Sequence, residues 1–495
     1  MTAHLQAEPM VPRALSALLR GLVTVAANQD REITGLTLDS REVKDGDLFV
    51  AIPGSCTDGR NFIDAAVTRG AVAVLCEDSE YSLAQSAVPV LRASNLRPLI
   101  GIIADRFFES PSKRLVVIGI TGTNGKTTCA HLLAQALDVL PNRCALIGTV
   151  GSGFPAALDD AALTTPDAIA VHRLLKQFLQ AGATHVSMEV SSHALDQSRT
   201  SAVAFDIAVF TNLSRDHLDY HGDMNSYALT KTRLFEVESV KTAVVNIEDP
   251  FGRTLSARLS GRMDTITYGL SEGDVYTREL HTGRDGLELD IVTPQGSTQL
   301  CCPLYGRFNA SNLLAVLAVL LACGVDLEAA TARLARVKAV AGRVERFGGQ
   351  AGLPLVVVDY AHTPDALEQV LCALREHTHG RLYCVFGCGG ERDRGKRPKM
   401  GRLAEELADV VVLTDDNPRN ESGDRIIEEI ATGMQGPARV IRDRAAAIRA
   451  VIGEAGQDDV VLIAGKGHEA YQQVGDRRVP YSDRETVRRV LGEAA

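Results

Sequence analysis

The stretch VVIGITGTNGKTTCAHLLAQAL, residues 116–137, decides how the rest of the chain is interpreted. An apolar run leads into a turn rich in Gly and Thr, and leucines at helical spacing follow the turn. Backbone N–H groups in such a turn cradle phosphate oxygens, while Lys126 supplies a cation and Thr127 a hydroxyl for Mg²⁺. The common phosphate loop has a glycine where this chain has Ile120. We therefore predict a nucleotide-binding loop of a variant form, in which Gly122 and Gly125 allow the tight turn.

The composition is that of an ordinary soluble globular protein. The 495 residues are 45% hydrophobic and 23% charged, and a chain of this length divides into about three domains. The net charge of −10 argues against a general nucleic-acid binder and favours small-molecule partners. The chain has no apolar run of the roughly 20 residues that span a bilayer, and its first residues lack a signal-peptide core. We therefore expect a cytoplasmic protein without a membrane span.

The cysteines do not predict a metal centre. None of the 10 cysteines belongs to a CxxC pair, and they lack the His or Cys companions of a zinc site. We expect them to be reduced thiols.

Apolar runs alternate with helical patterns along the whole chain, which predicts an α/β fold with mostly parallel sheets. Three blocks can be separated, at residues 1–94, 95–341 and 342–495. The first has the candidate strands DLFVAI and AVAVL around a helix at 62–69. The second has LVVIGI, HVSMEV, DIAVFTN and KTAVVN, a helix containing Leu132, Leu133, Leu137 and Leu140, and a closing helical run at 309–324.

The third block repeats one arrangement four times. The apolar runs of PLVVVDYAHTPDAL, RLYCVFGCGGERDRGKRP, DVVVLTDDNPRN and DVVLIAGKGHEAY each end in a polar cluster. In an open parallel sheet such clusters share the carboxyl edge, where ligands bind. This block is therefore expected to contribute a binding site.

Polar residues of the second block also call for an explanation. Glu189 ends the apolar run HVSMEV, and a buried carboxylate there implies a metal or an arginine partner. The segment RDHLDYHGD contains His217, and Lys231 lies in a helical stretch after it. Taken alone, His217 is better explained as a surface or capping residue, and Lys231 as a solvated helix residue.

The order of the motifs changes these interpretations. GTNGKTT, EVSSH, RDHLDYHGD, YALTKTRLF, GRFNASN, DYAHTPDAL, GCGGERDRGKRP, DNPR and GKGHE together resemble the Mur ligase family, and the match spans all three blocks. The resemblance implies a small α/β uridine-nucleotide-binding domain, a central P-loop ATPase-like domain with a parallel sheet, and a Rossmann-like C-terminal domain.

The resemblance also implies the chemistry. Mur ligases transfer the γ-phosphate of ATP to a substrate carboxylate, and an amine then displaces the phosphate through a tetrahedral intermediate. The implied ATP-binding residues are Gly122, Thr123, Asn124, Gly125, Lys126, Thr127, Thr128, Asn309, Arg343, Asp359 and His362. Asn309 has an alternative role as a helix cap.

Two Mg²⁺ ions are implied as cofactors. By resemblance Thr127 and Glu189 hold the first, and Glu189, His217 and Lys231 hold the second. An ammonium cannot bind a cation, but family members carry this lysine as a carbamate made with CO₂. Lys126, Glu189, His217 and Lys231 are therefore the predicted catalytic residues.

Two further substrates are implied. The residues assigned to a UDP-MurNAc-dipeptide are Leu38, Ser40, Ser55, Cys56, Thr57, Thr164, Thr165, Ser191, Gln197 and Arg199. The motif DNPR resembles the signature of members that add meso-diaminopimelate, whose second carboxylate a guanidinium can grip bidentately. The corresponding residues are Arg392, Asp416, Asn417, Pro418, Arg419, Gly465 and Glu469.

Two alternatives stay open at this point. Folylpolyglutamate synthase shares the loop and the central fold, but it lacks the uridine-binding first domain that the 94-residue block suggests. The other alternative is an ATP-dependent switch or scaffold, which would not need DNPR or GKGHE. A monomer is the working expectation in each case.

Overall fold

The structure, a computed structural model, describes residues 11–54, 57–78, 86–161, 163–283, 286–350 and 352–493. It divides the chain into two compact units. The first comprises the residues up to Thr121, Leu137–Val209 and Leu229–Ala243, and the second comprises Gly122–Ala136, Phe210–Ala228 and the residues from Val244 onward. Across the described residues, no helix has the length and apolar composition needed to cross a membrane.

The first unit begins with a small α/β domain built on a four-stranded parallel sheet. Its strands are predominantly apolar on both faces: Leu48 and Val50 join one buried cluster, whereas Phe49 and Ala51 join another. Two-sided burial is expected of a parallel sheet covered on both faces. The strands are Gly35–Thr37, Asp47–Ala51, Ala73–Glu77 and Val90–Ala93, beside a two-stranded ribbon of Arg13–Ala14 and Glu32–Ile33; the helices are Leu15–Leu18, Ile63–Thr68 and Leu96–Phe107.

The first unit also contains strands of the central block. His185–Glu189 pairs in parallel with Val116–Thr121 on one side and with Cys144–Gly148 on the other. Cys144–Gly148 continues antiparallel into Gly151–Phe154, which pairs with Ala157–Asp159. This arrangement brings the carboxyl ends of three parallel strands to one edge. The helices of this part are Ala168–Gln180 and Ser192–Asp196.

Four elements carry the chain from one unit to the other: the helices Lys126–Leu137 and Met224–Thr232 and the strands Ile207–Phe210 and Thr242–Asn246. The helix predicted to include Leu140 ends at Leu137, and Leu140 is 84% exposed. Pro141 follows Leu140, and a proline lacks the N–H needed to continue a helix.

The second unit contains the antiparallel part of the central block, which the sequence patterns did not predict. Val275–Gly283, Gly286–Thr293 and Gly296–Cys302 form successive antiparallel pairs, and Asp264–Gly269 joins Val275–Gly283 in parallel. The helices of this part are Leu218–His221, Pro250–Leu259, Arg307–Ala322 and Leu327–Leu334.

The third block forms a doubly wound six-stranded sheet in the second unit. Its strand order is Glu345–Gly348, Leu355–Asp359, Val460–Ala464, Leu382–Phe386, Val410–Leu413 and Arg439–Val440, and only the first strand is antiparallel to its neighbour. Alternate residues of each central strand enter two different apolar clusters. The helices are Pro364–Arg375, Lys396–Leu407, Gly423–Ala431, Arg444–Glu454 and Asp483–Leu491, with a hairpin of Tyr471–Val474 and Arg477–Pro480. The predicted α/β fold class is confirmed.

Candidate active site

The predicted phosphate loop obtains its turn from Gly122 and Gly125, which both have positive φ, at 146° and 85°. A Cβ atom on Gly122 would lie 1.9 Å from Thr211 Oγ1, and one on Gly125 would lie 2.6 Å from Asn312 Oδ1. Only glycine therefore fits at both places. Lys126 Nζ donates to the carbonyl oxygens of Gly122 and Thr123 at 2.9 and 2.7 Å, so the side chain folds back over the loop.

The segment after the strand Ile207–Phe210 holds the loop in place. The N–H groups of Thr123 and Asn124 donate to the backbone and side-chain oxygens of Asn212, at 2.8 and 2.9 Å. Thr211 Oγ1 donates to the carbonyl of Asn124 at 2.6 Å, and Ser214 N–H donates to Thr123 Oγ1 at 3.0 Å. We did not predict a role for Thr211, Asn212 or Ser214; their position after an apolar strand was the available signal.

Arg343 and Asp359 are predicted ATP-binding residues of the third block, and Arg343 contacts the helix that follows the loop. Arg343 Nη2 donates to Thr127 Oγ1 at 3.3 Å, and its guanidinium carbon lies 4.3 Å from the centroid of the Tyr360 ring. Asp359 accepts a hydrogen bond of 2.8 Å from Val344 N–H, and burial raises the pKa of its carboxyl. Arg343 therefore links the loop helix to the end of the strand Leu355–Asp359.

Of two further ATP candidates, Asn309 is buried and His362 is half-buried. Asn309 is 4% exposed, and its side chain donates to Tyr305 O at 2.8 Å and accepts from Asn312 at 3.1 Å. This contact is with a carbonyl rather than with N–H groups of the helix, so Asn309 does not act as a side-chain N-cap. His362 bonds to Tyr360 O at 2.8 Å, and burial lowers the pKa of its imidazole.

Asp216 adds a carboxylate to this region. Burial alone would raise its pKa, but the charges of His217, His362 and Lys126 outweigh burial and lower it. His217 Nε2 lies 3.4 Å from Asp216 Oδ2, its side chain is 45% exposed, and it makes no capping hydrogen bond with the helix Leu218–His221. Asp216 is therefore an anion beside the loop lysine.

In the first unit, Glu189 is fully buried at the carboxyl end of its strand. Its carboxylate accepts hydrogen bonds from the N–H and hydroxyl of Thr149, at 2.7 and 3.0 Å, and Thr149 Oγ1 also lies 3.0 Å from Thr164 Oγ1. Thr149 was not predicted. Hydrogen-bond donors thus offset part of the cost of burying the Glu189 carboxylate, which we expected a metal or an arginine to offset.

The predicted dipeptide residues of the central block lie close to one another, beside Glu189. Thr165 Oγ1 donates to Glu189 O at 2.8 Å and accepts from Ser191 N–H at 3.2 Å. Arg199 donates to Thr165 O at 3.0 Å and makes two hydrogen bonds to Gln197 Oε1, at 2.6 and 3.0 Å. The guanidinium and the hydroxyls make this cluster suited to an anionic ligand.

The four predicted metal ligands are divided between the two units. Thr127 and His217 belong to the second, and Glu189 and Lys231 belong to the first, where Lys231 is 1% exposed. Because Lys231 is buried, it is not the solvated helix residue that the sequence taken alone suggests. The metal assignment itself stays a prediction.

The predicted uridine pocket lies partly outside the described residues, because Ser55 and Cys56 are not among them. Leu38 and Ser40 follow the strand Gly35–Thr37, and exposed Thr57 follows the strand Asp47–Ala51, so all three come after carboxyl ends of the parallel sheet. This is where ligands of parallel sheets bind.

The predicted amino-acid pocket is at the carboxyl edge of the third-block sheet. Arg419 has a left-handed backbone, with φ 51°, and its Nη1 donates to Gly390 O at 2.7 Å. Glu469 accepts hydrogen bonds from Asn417 Nδ2 and Lys466 Nζ, both at 2.8 Å. Gly465 fits closely here, because a Cβ atom would lie 2.6 Å from Asp416 Oδ2. Arg392 is exposed, and Pro418 is buried.

A buried cation that we did not predict supports this pocket. The side chain of Arg397 is fully buried and pairs with Glu421 and Glu429, at 2.9 and 2.7 Å. It also donates to Gly389 O at 3.2 Å, next to the residue that accepts from Arg419. Arg397 therefore joins the GCGGERDRGKRP loop to the residues after DNPR.

Sequence profiles of known families match most of the chain. The profile "Mur ligase family, catalytic domain" matches residues 32–108, "Mur ligase middle domain" matches 120–320, and "Mur ligase, glutamate ligase domain" matches 342–467.

Individual proteins match over nearly the full length. The UDP-N-acetylmuramoyl-L-alanyl-D-glutamate–2,6-diaminopimelate ligase of Pseudomonas aeruginosa is 49% identical over 470 residues, which are 94% of this chain and 96% of that protein. A solved structure of a ligase with the same name has a TM-score of 0.68 at 35% identity, covering 97% of this chain and 99% of the other. A Mycobacterium tuberculosis folylpolyglutamate synthase, at 19% identity, has a TM-score of 0.63 and covers 75% of this chain and 93% of its own. That last likeness is one of fold alone.

Proposed function

This chain belongs to the Mur ligase family of ATP-dependent ligases, and we propose that it joins meso-diaminopimelate to UDP-N-acetylmuramoyl-L-alanyl-D-glutamate in peptidoglycan synthesis. The relatives that share about half of its residues are named for this reaction. A reaction that consumes ATP and a UDP-linked precursor also agrees with the expected cytoplasmic location. We propose the domain boundaries given by the three blocks.

The observation that carries the substrate proposal is the charge pattern of the amino-acid pocket. Arg419 and Glu469 supply opposite charges at one sheet edge, and Asn417 connects DNPR to GKGHE by its hydrogen bond to Glu469. The second centre of diaminopimelate carries both a carboxylate and an ammonium, whereas the corresponding end of lysine carries an ammonium alone. An arginine left without its carboxylate would strongly disfavour lysine.

The proposed reaction has two steps. One of the two free carboxylates of the D-glutamyl residue attacks the γ-phosphorus of ATP, so that an acyl phosphate forms and ADP leaves. The amine then adds to the acyl carbon, and the tetrahedral intermediate expels phosphate and leaves an amide. Lys126 and the loop N–H groups stabilise charge on the phosphoryl oxygens in the first step.

Neighbouring residues would orient the reactants. Arg343 contacts the Thr127 hydroxyl and is close enough to the loop to share the charge of the phosphates. In the first unit, Arg199 and the threonines beside Glu189 would hold the anionic dipeptide end. Positioning of this kind supplies much of the rate enhancement in reactions between two bound substrates.

The proposed metals rest on the family resemblance. The Thr127 hydroxyl, the Glu189 carboxylate and a carbamate on Lys231 are oxygen donors of the kind that Mg²⁺ prefers, with His217 as the one nitrogen donor. The buried position of Glu189 beside Thr149 fits such a role, because a carboxylate held by two hydrogen bonds has a fixed orientation. Bound Mg²⁺ would neutralise charge on the phosphate oxygens.

A phosphate-release assay tests the proposal. Purified protein with Mg²⁺, ATP and the UDP-linked dipeptide should release phosphate only when meso-diaminopimelate is added. Equal release with L-lysine would overturn the substrate assignment, release with a folate acceptor would favour the synthase alternative, and release without any amine would favour a switch. Arg419→Ala should lose diaminopimelate use while nucleotide binding is retained.

A further inference from the structure

Lys466, in the GKGHE segment, is a fully buried lysine whose ammonium group contacts two residues of the proposed amino-acid pocket. Its Nζ donates to Asn417 Oδ1 at 3.0 Å and to Glu469 Oε2 at 2.8 Å. Nζ also lies 5.6 Å from the centroid of the Tyr471 ring. A buried ammonium is costly unless it is paired, so these contacts fix its position.

The three side chains form a closed ring of hydrogen bonds. Asn417 Nδ2 donates to the same Oε2 of Glu469, at 2.8 Å, and Gln473 N–H donates to Asn417 Oδ1 at 2.9 Å. Within the described part of the chain, no hydrogen bond engages the other carboxylate oxygen, Oε1 of Glu469. Lys466 therefore fixes one oxygen of Glu469 and leaves the other for a ligand.

The ring also changes the charge that a ligand meets. Without Lys466, Glu469 would offer a full negative charge, which a lone ammonium could neutralise. With Lys466 in an ion pair, Glu469 is already compensated, and Arg419 adds a positive charge to the proposed pocket. A group that brings a carboxylate together with its ammonium suits this balance better than a lone ammonium does.

We infer that Lys466 is a positioning residue that sets amine specificity: it orients Glu469 and cancels its surplus charge, so that the pocket selects a zwitterionic amino-acid end over a lone ammonium. The inference rests on the proposed function. It differs from a role in loop folding alone, because it predicts a change in the ratio of two substrates.

The test compares kcat/KM for meso-diaminopimelate and for L-lysine in the intact ligase. Lys466→Met should lower the value for diaminopimelate about 100-fold and the ratio between the amines at least about tenfold, while the KM for ATP stays within about twofold. Lys466→Met combined with Glu469→Gln should regain part of the ratio, because no uncompensated carboxylate then attracts lysine. Lys466→Gln keeps a hydrogen-bond donor without the charge, and it should also lower the ratio.

Arg439→Met is the control. Arg439 lies on the last strand of the sheet and pairs with Glu454, so its replacement should leave kcat/KM for both amines unchanged. Thermal unfolding of each variant reports whether the fold is intact. If Lys466→Met does not fold, the ratio of kcat/KM for the two amines in Lys466→Gln tests the inference instead. Equal losses for both amines, or a loss confined to ATP, would overturn the inference. A wild-type enzyme that does not use diaminopimelate would instead overturn the proposed function.

Discussion

The side chain of Asn124, in the phosphate loop, donates a hydrogen bond of 3.0 Å to the carboxylate of Asp365, in the first turn of the helix Pro364–Arg375. The same Oδ2 atom of Asp365 accepts from Ser214 Oγ at 3.1 Å. One carboxylate of the third block thus holds two groups around the nucleotide loop. The N-terminal position on the helix favours its negative charge.

Replacing Asp365 should weaken ATP binding. In Asp365→Ala, Asn124 and Ser214 lose their shared acceptor, and we expect the KM for ATP to rise about tenfold, which corresponds to about 1.4 kcal/mol. Steady-state kinetics with varied ATP measures the change. Gln369→Ala is the control, because Gln369 makes only a 3.4 Å contact with the same carboxylate. An unchanged KM in Asp365→Ala would show that the contact does not order the loop.

Gly122 should tolerate no side chain. In Gly122→Ala the new Cβ atom would collide with Thr211 Oγ1, and the positive φ would strain the alanine, so we expect ATP affinity to fall more than about 100-fold. Equilibrium binding of an ATP analogue measures the loss. Gly453, in the helix Arg444–Glu454, has open space around it. Gly453→Ala should keep ATP binding and stabilise the protein by about 0.5–1 kcal/mol; equal effects at both positions would contradict the steric argument.

Lys231 is expected to work as a carbamate. Lys231→Ala should abolish ligase activity, and short carboxylic acids should restore part of it by supplying the missing anion. Thr232→Val is a neighbouring control, since the hydroxyl of Thr232 donates to Leu229 O of its own helix. Activity assays with and without added acetate measure the rescue. A fully active Lys231→Ala variant would contradict the assignment.

Arg397 should stabilise the third block. Arg397→Met leaves Glu421 and Glu429 without their buried partner, and we expect the free energy of unfolding to fall by about 2–3 kcal/mol. This is below the cost for a fully buried pair, because both carboxylates keep some exposure. Urea denaturation measures this change in the free energy of unfolding. Arg402→Met removes an exposed pair with Glu406 on the same helix and should cost no more than about 0.5 kcal/mol.

Stability should depend on pH through His131. Burial, together with the charges of Arg343 and His468, lowers the pKa of His131 to about 4, from an ordinary value of 6.5. Between these values the unfolded chain binds more protons than the folded one, so stability should fall as the pH drops from 6.5 towards 4, by at most about 1.4 kcal/mol per pH unit for this group. Urea denaturation across this range should give a smaller slope for His131→Gln. An equal slope in the wild type and in His131→Gln would contradict this assignment.

The parallel strands were the most predictable part of the fold. Each apolar run that we assigned to a strand contains one, and those with Val117, Val186 and Leu462 are almost entirely buried. A strand covered on both faces must be apolar throughout, so its signal is local. The antiparallel strands from Val275 to Cys302 gave a weaker signal, because one side of each pair is exposed and polar.

The sequence by itself determined the fold class and the family, because short runs of residues and their order carry that information. Only the tertiary structure decided what supports the predicted residues: Thr149 bonds to Glu189, Asp365 to Asn124, and Lys466 to Glu469. In the first two pairs the partners are separated by 40 and 241 residues. Hydrogen bonds over such separations follow from how strands and helices pack, and a linear pattern does not record packing. In the third pair the residues are close in the chain, but the burial that makes their ion pair informative exists only in the folded protein.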